Sequence, residues 1–175
     1  MAGKFLVCGA AALLCFSTAT VAQDGVQPTD AQIAHIAYTA GQIDVAAGEQ
    51  ALAKSRNEAV RAFAEEMIRD HRAVNRQAVS LVGQLGVIPE ANDTSSALAA
   101  AAEAEQQRLA ALEGAAFDRA YVENEIAFHR TVNGALGTTL IPAADNAELK
   151  VLLETGLVLF QEHQRHAEHL SQSLR

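Results

Sequence analysis

The sequence is poor in the residues that hold small or β-rich domains together. Among 175 residues it has two cysteines, three prolines, two tyrosines and no tryptophan, whereas half of the residues are hydrophobic. This composition suits long helices that pack through small side chains, and it argues against a β-sandwich or a barrel. A chain of this length is expected to form one domain with a substantial core.

Both cysteines fall within an N-terminal segment that has the features of a secretory signal. Lys4 is followed by an apolar stretch from Phe5 to Phe16, and small residues then lead to a cleavage point after Ala22. We therefore predict a signal peptide at 1–22 and a mature domain at 23–175 that is periplasmic or otherwise exported. The alternative is an uncleaved membrane anchor. Cleavage removes every cysteine, which excludes disulfides and thiolate metal ligands from the mature domain.

The charge balance of the chain is acidic. It has 13 basic and 21 acidic residues, and removal of Lys4 with the signal leaves 12 against 21, a net charge of −9. Such a surface disfavours nucleic acid and anionic lipid as partners. No segment after the signal is apolar over the length of a membrane span. The sequence leaves protein partners and a homo-oligomer open.

Capping and helix-breaking residues divide the mature chain into four long helices and one shorter helix. The predicted elements are helix A from Thr29 or Asp30 to about Ser55, helix B from there to Leu85, an Ala-rich helix capped by Thr94 to Ser96 and ending near Glu113, helix C from about Ala116 to Leu140, and helix D from Asn146 to the C-terminus. Pro142 is expected to stop helix C. Because only the link between helices B and C is long, we predict an all-α fold, a ferritin-like four-helix bundle with a long helical crossover between helices B and C.

Each long helix carries ionisable side chains on the face where its apolar residues recur. At about 1.5 Å rise per residue, these side chains lie about 18 to 25 Å from the turn of their hairpin, near the middle of the bundle. Burial of one unpaired charge costs several kcal/mol, so the group needs partners. The inward candidates are Asp44 on helix A, His71 with Asp70 at its edge on helix B, Glu125 and His129 on helix C, and His163 on helix D. The remaining histidines, His35, His166 and His169, fall off the apolar faces or at an edge.

Imidazole and carboxylate side chains together suit divalent Fe, Mn, Zn or Cu. The first hypothesis is a periplasmic metal-binding protein that uses all six inward residues, with Asp70 as a ligand or as an outer acceptor that orients an imidazole. The alternative is a non-catalytic envelope or stress-related protein whose internal polar network is purely structural. An oxidoreductase would need open coordination positions and a substrate channel, and the sequence shows neither.

Four runs of the sequence and one single histidine carry a resemblance to a known family. They are Gly41 to Gly48, Val60 to His71, Phe117 to Tyr121, His129, and Gln161 to His163. The Asp-His pair that ends the second run and the Phe-Asp-Arg-Ala-Tyr run are the most specific. Over about Thr29 to Leu174 the chain resembles the domain of unknown function 4142 family, a bacterial family of the ferritin-like superfamily. The resemblance implies an exported helical bundle and no particular reaction.

The sequence departs from related patterns at two points. Asp44 stands where the family often has glutamate, which shortens the side chain by one methylene. Di-iron ferritin-like enzymes use Glu-x-x-His pairs, but the residues three before the inward histidines are Ile68, Ile126 and Phe160. This second departure argues against ferroxidase or oxygenase chemistry.

Overall fold

The computed structural model describes residues 27–174, and the predicted signal peptide lies outside the described residues. The described chain is helical apart from short links. Its elements are α1 (Asp30–Lys54), α2 (Glu58–Leu85), α3 (Asp93–Ala110), α4 (Gly114–Ala135), a π-helical turn (Leu136–Leu140), α5 (Ile141–Ala143) and α6 (Ala147–Ser173). Within residues 27–174, no helix is long and apolar enough to cross a membrane.

Two antiparallel hairpins, α1 with α2 and α4 with α6, form the four-helix bundle. The crossover helix α3 runs back alongside α1 and parallel to it. At its start, Asn92 Nδ2 donates a hydrogen bond to the carbonyl oxygen of Gln32 at 3.3 Å. At its end, Lys54 Nζ donates to the carbonyl oxygen of Ala110 at 2.9 Å. This topology confirms the predicted ferritin-like bundle with a helical crossover between helices B and C.

Local capping explains where the long helices begin and end. Thr29 forms a capping box with Gln32 at the start of α1, and Asn57 Oδ1 accepts from two backbone N–H groups at the start of α2. Asn146 caps α6 in the same way, as predicted. Gly86 ends α2 with a φ of 65°, a left-handed conformation that glycine adopts without a Cβ clash.

Two predicted boundaries were wrong. Asn92 rather than the Thr94 to Ser96 run caps α3, which ends at Ala110. The helix that follows also continues past Leu140, because the N–H of Ile141 bonds to the Leu136 carbonyl five residues back. This π-helical turn starts a new helical register in which Pro142 occupies the first turn, where its missing N–H leaves no bond unmade.

The apolar core consists of two clusters, one in each half of the bundle. The cluster nearer the α1–α2 turn includes Phe63, Met67, Phe117 and Tyr121. The cluster nearer the start of α1 includes Ile33, Leu136, Leu149 and Leu153. The inward polar residues occupy the layer between these two clusters, so apolar packing above and below holds them in place.

Candidate metal centre

The structure places the predicted inward residues at the middle of the bundle and buries five of them almost completely. Each of these five side chains belongs to a residue that is 2% exposed or less: Asp44, His71, Glu125, His129 and His163. The sixth, Asp70, lies at the edge of the layer with 18% of its side chain exposed. The remaining histidines are accessible to different degrees, and His166 is paired with Glu66 at 2.7 Å.

Three histidine rings from three helices form a near-equilateral triangle. The ring centroids are separated by 5.5 Å for His71 and His129, 5.2 Å for His71 and His163, and 5.5 Å for His129 and His163. One nitrogen from each ring lies within 4.8 Å of the other two. The bundle therefore brings α2, α4 and α6 together at one point through their imidazoles.

Hydrogen bonds fix which nitrogen of two of these rings carries the proton. His129 Nδ1 lies 3.0 Å from the backbone carbonyl oxygen of Glu125. His163 Nε2 lies 3.2 Å from Asp70 Oδ2. Because a carbonyl and a carboxylate accept, each of these nitrogens donates. The opposite nitrogens, Nε2 of His129 and Nδ1 of His163, keep their lone pairs and have no hydrogen-bond partner among the described residues.

A pair of carboxyl groups adjoins the histidine triangle. One ligand atom each from Asp44, Glu125 and His129 lies within 4.8 Å of the others, and Asp44 Oδ2 is 3.4 Å from His71 Nε2. Burial raises the pKa of Glu125 to about 8. Burial and then the negative charge of Glu125 raise the pKa of Asp44. The Tyr121 hydroxyl lies beside this pair, and burial raises its pKa as well.

Burial acts on the histidines in the opposite sense, because it disfavours the protonated, charged ring. It lowers the pKa of His129 to about 4, with a further contribution from the neighbouring His163. The pKa values of His71 and His163 are also lowered, chiefly by burial. At neutral pH the imidazoles of the layer are therefore uncharged and their free nitrogens can act as ligands.

At its outer edge the polar layer meets solvent at two acidic residues, Glu66 and Asp70. Of these two, the sequence predicted only Asp70. Glu66, Asp70 and His163 each offer a ligand atom within 4.8 Å of the others. Partial burial opposes ionisation of Asp70, but hydrogen bonds from Arg69 and His163 hold the pKa of its carboxyl below its usual range. Glu66 lies one helical turn before Asp70, and this i, i+4 spacing was the signal that could have identified it.

An aromatic ring closes the other side of the triangle. Phe160 stacks on His71 with centroids 4.6 Å apart and planes 12° from parallel. It also contacts His129 and His163 with ring centroids 6.3 Å and 6.0 Å away. Phe160 packs against the apolar cluster nearer the start of α1, and it separates the polar layer from that half of the bundle.

These features define an all-helical bundle of the ferritin-like kind with a buried layer of imidazole and carboxyl groups. Comparison with known families is consistent with that class. The chain belongs to the family described as "Domain of unknown function (DUF4142)", whose model matches residues 15–170.

Two solved structures share the fold. The chain is similar to a protein from Streptomyces coelicolor described as secreted and as DUF305, with a TM-score of 0.70 and 13% identity over 82% of this chain and 91% of that one. It is also similar to CopM in the Cu(II)-bound form, with a TM-score of 0.67 and 16% identity over 86% of this chain and 100% of that one. No curated protein matches the chain.

Proposed function

We propose that this protein is an exported metal-binding protein that holds one divalent transition-metal ion between His71, His129 and His163. The observation that carries the proposal is the triangle of buried, uncharged imidazoles, each with a nitrogen within 4.8 Å of the others. Bonds of about 2.0 Å in tetrahedral geometry place ligand nitrogens about 3.3 Å apart. The three nitrogens therefore need to approach one another by at most about 1.5 Å when an ion binds.

The hydrogen-bond accounting of the layer favours a ligand-binding role over a closed structural network. Buried polar atoms in folded proteins are nearly always paired. Here one nitrogen of each imidazole is buried and has no partner among the described residues: Nδ1 of His71, Nε2 of His129 and Nδ1 of His163. A network that served only to fix helix register would be expected to satisfy its own members.

Two of the imidazoles donate hydrogen bonds to acceptors of the kind that orient metal-ligating histidines. A ligating histidine usually donates its other N–H to a carboxylate or a backbone carbonyl. Asp70 plays this part for His163 at 3.2 Å, and the Glu125 carbonyl plays it for His129 at 3.0 Å. The carboxyl pair of Asp44 and Glu125 adjoins the histidine triangle and would supply two negative charges that balance a divalent cation once their protons leave.

The donor set favours copper or zinc within the divalent series. Three imidazoles with nearby carboxyl groups and no thiolate suit Zn and Cu, and Cu(II) binds nitrogen donors most tightly of the first-row divalent ions. CopM, which has the same fold, is known in a Cu(II)-bound form. Export of the protein is supported by the signal features of residues 1–22 and by the fold shared with a protein described as secreted.

Metal titration of protein purified without chelator tests the proposal. We expect one equivalent of Cu(II) or Zn(II) to bind in calorimetry, and elemental analysis of the untreated protein to show a near-stoichiometric ion. His71→Ala and His163→Ala are each expected to abolish this binding. His169→Ala is the matched control, because His169 is exposed on the same helix as His163.

Two results would contradict the proposal. One is a metal content far below one equivalent at neutral pH with no titratable site. The other is a loss of binding in His169→Ala as large as that in His163→Ala, since the ion would then bind to surface histidines. The alternative envelope or stress-related role would remain in either case.

A further inference from the structure

A large apolar cavity lies in the half of the bundle beyond Phe160, away from the carboxyl pair. Its volume is about 490 Å³, within the range of about 300 to 1,000 Å³ that ligand pockets occupy. The four bundle helices and the crossover helix α3 all contribute to its wall. Representative lining residues are Ile36, Val74, Leu98, Leu136, Leu153 and Phe160.

The crossover helix α3 forms the outer wall of this cavity. Ala97 and Ala101 face the cavity with small side chains, whereas the only buried residues of α3 are Ser95 and Leu109. The helix thus covers the gap between α1 and α4 without filling it. An Ala-rich helix that packs lightly leaves room between itself and the bundle for a guest molecule.

One polar side chain in the cavity wall, that of Asn75, has an unpaired hydrogen-bond donor. Asn75 is 6% exposed and lines the cavity, and its Nδ2 has no hydrogen-bond partner among the described residues. The absence of a side chain at Gly41 leaves room for this amide, because a Cβ there would lie 2.3 Å from Asn75 Oδ1. The first run of the family resemblance therefore begins with a glycine that makes room for a buried, unpaired amide.

We propose that the cavity binds a neutral, largely hydrocarbon molecule that carries one hydrogen-bonding oxygen, such as a ketone, quinone or ester, and that Asn75 donates to that oxygen. The lining residues include no lysine, arginine, histidine, aspartate or glutamate. A carboxylate or sulfonate that took the place of this oxygen beside Asn75 would therefore be buried without a counter-charge, which costs several kcal/mol. The site selects against fatty-acid anions and in favour of uncharged carbonyl compounds.

This binding site is independent of the metal centre, so the two proposals can fail separately. The test uses the neutral fluorescent ketone prodan as the probe, with a chelator present throughout. We expect saturable binding of one prodan per protein with blue-shifted emission. An eleven-carbon methyl ketone should displace the probe, and undecanoate of the same length should displace it about tenfold less well or worse.

Substitutions in the cavity wall test whether prodan binds inside the cavity. Ala97→Phe projects a ring into the cavity and is expected to weaken prodan binding about tenfold or more. Ala100→Phe is the matched control, because Ala100 is exposed on the same helix and is not part of the cavity wall. Asn75→Leu should weaken binding of the ketone about tenfold through the lost hydrogen bond, while leaving an oxygen-free aromatic probe bound as before. Circular dichroism confirms the fold of each variant.

The proposal is overturned if Ala97→Phe and Ala100→Phe bind prodan equally, since the probe then lies elsewhere. Equal displacement by undecanoate and by the ketone overturns the assigned ligand class. Loss of the oxygen-free probe together with prodan in Asn75→Leu overturns the role of the amide.

Discussion

Replacement of Glu125 by glutamine removes one of the two coupled carboxyl groups of the buried layer and so tests the cost of ionising it there. The pKa of Glu125 rises from its usual 4.5 to about 8 in the folded protein because the side chain is removed from water. The folded state therefore binds the proton more tightly than the unfolded state does. The resulting stabilisation is complete below about pH 4.5 and is lost as the pH rises towards 8.

The size of the effect follows from the shift. Each pKa unit corresponds to about 1.4 kcal/mol, so the full interval represents about 5 kcal/mol and the interval from pH 6 to pH 8 about 2 to 3 kcal/mol. Glutamine has nearly the same shape and cannot ionise. We therefore expect Glu125→Gln to gain about 2 to 3 kcal/mol of unfolding free energy relative to the wild type between these two pH values.

Urea unfolding of metal-free protein at several pH values measures this difference. Titration of the buried histidines cancels to first order, because they are present in both proteins, whereas the pKa of Asp44 is expected to fall in the variant once the charge of Glu125 is gone. Glu123→Gln removes an exposed carboxylate from the same helix and controls for the change in net charge. A stability difference between Glu125→Gln and the wild type that stays constant from pH 6 to pH 8 would show that Glu125 ionises freely in the folded protein, and would refute the reasoning about the layer.

Three further changes probe the centre and its support. Asp70→Asn should weaken metal binding about 10- to 100-fold while leaving the stoichiometry at one, as calorimetry would show. Gly41→Ala should lower the unfolding free energy by about 1 to 3 kcal/mol, because the new Cβ would clash with the Asn75 amide. Gly134 has open space around it, so Gly134→Ala should raise the unfolding free energy by up to about 1 kcal/mol in the same urea assay. His71→Leu combined with His163→Leu should keep or raise the melting temperature of metal-free protein, because apolar side chains of similar size replace buried imidazoles that each have an unpaired nitrogen; a large loss would contradict this expectation.

The sequence was sufficient to predict the bundle and the buried polar layer because both depend on helical periodicity. A histidine at the position of an apolar residue, as at 71 or 163, is visible without any tertiary information. The paths of the links were harder to predict. Asn92 displaced the expected cap of α3, and the π-helical turn before Pro142 depends on which carbonyl the N–H of Ile141 reaches.

Side-chain partnerships lay beyond sequence reasoning for a different reason. The periodicity places His163 on an inner face, but only the side-chain conformation decides that its Nε2 meets Asp70 and leaves Nδ1 free. Asn75 lies four residues after His71 and therefore on the same face. It was not among the predicted inward residues. The metal itself stays a prediction, since the geometry describes donors and not an ion.

The two glycines of α1 determine how closely Asp44 approaches the imidazoles. A Cβ at Gly41 would lie 2.3 Å from the Asn75 side chain, and one at Gly48 would lie 2.8 Å from Ile68 Cγ1 and 3.0 Å from the backbone oxygen of Ala64. Both positions show that α1 packs against α2 more closely than any side chain would allow. Asp44 lies between them and reaches within 3.4 Å of His71 Nε2. The close approach of the helices thus brings the short side chain of Asp44 to the imidazoles, and the same glycine spacing that shapes the hairpin positions the carboxyl group beside them.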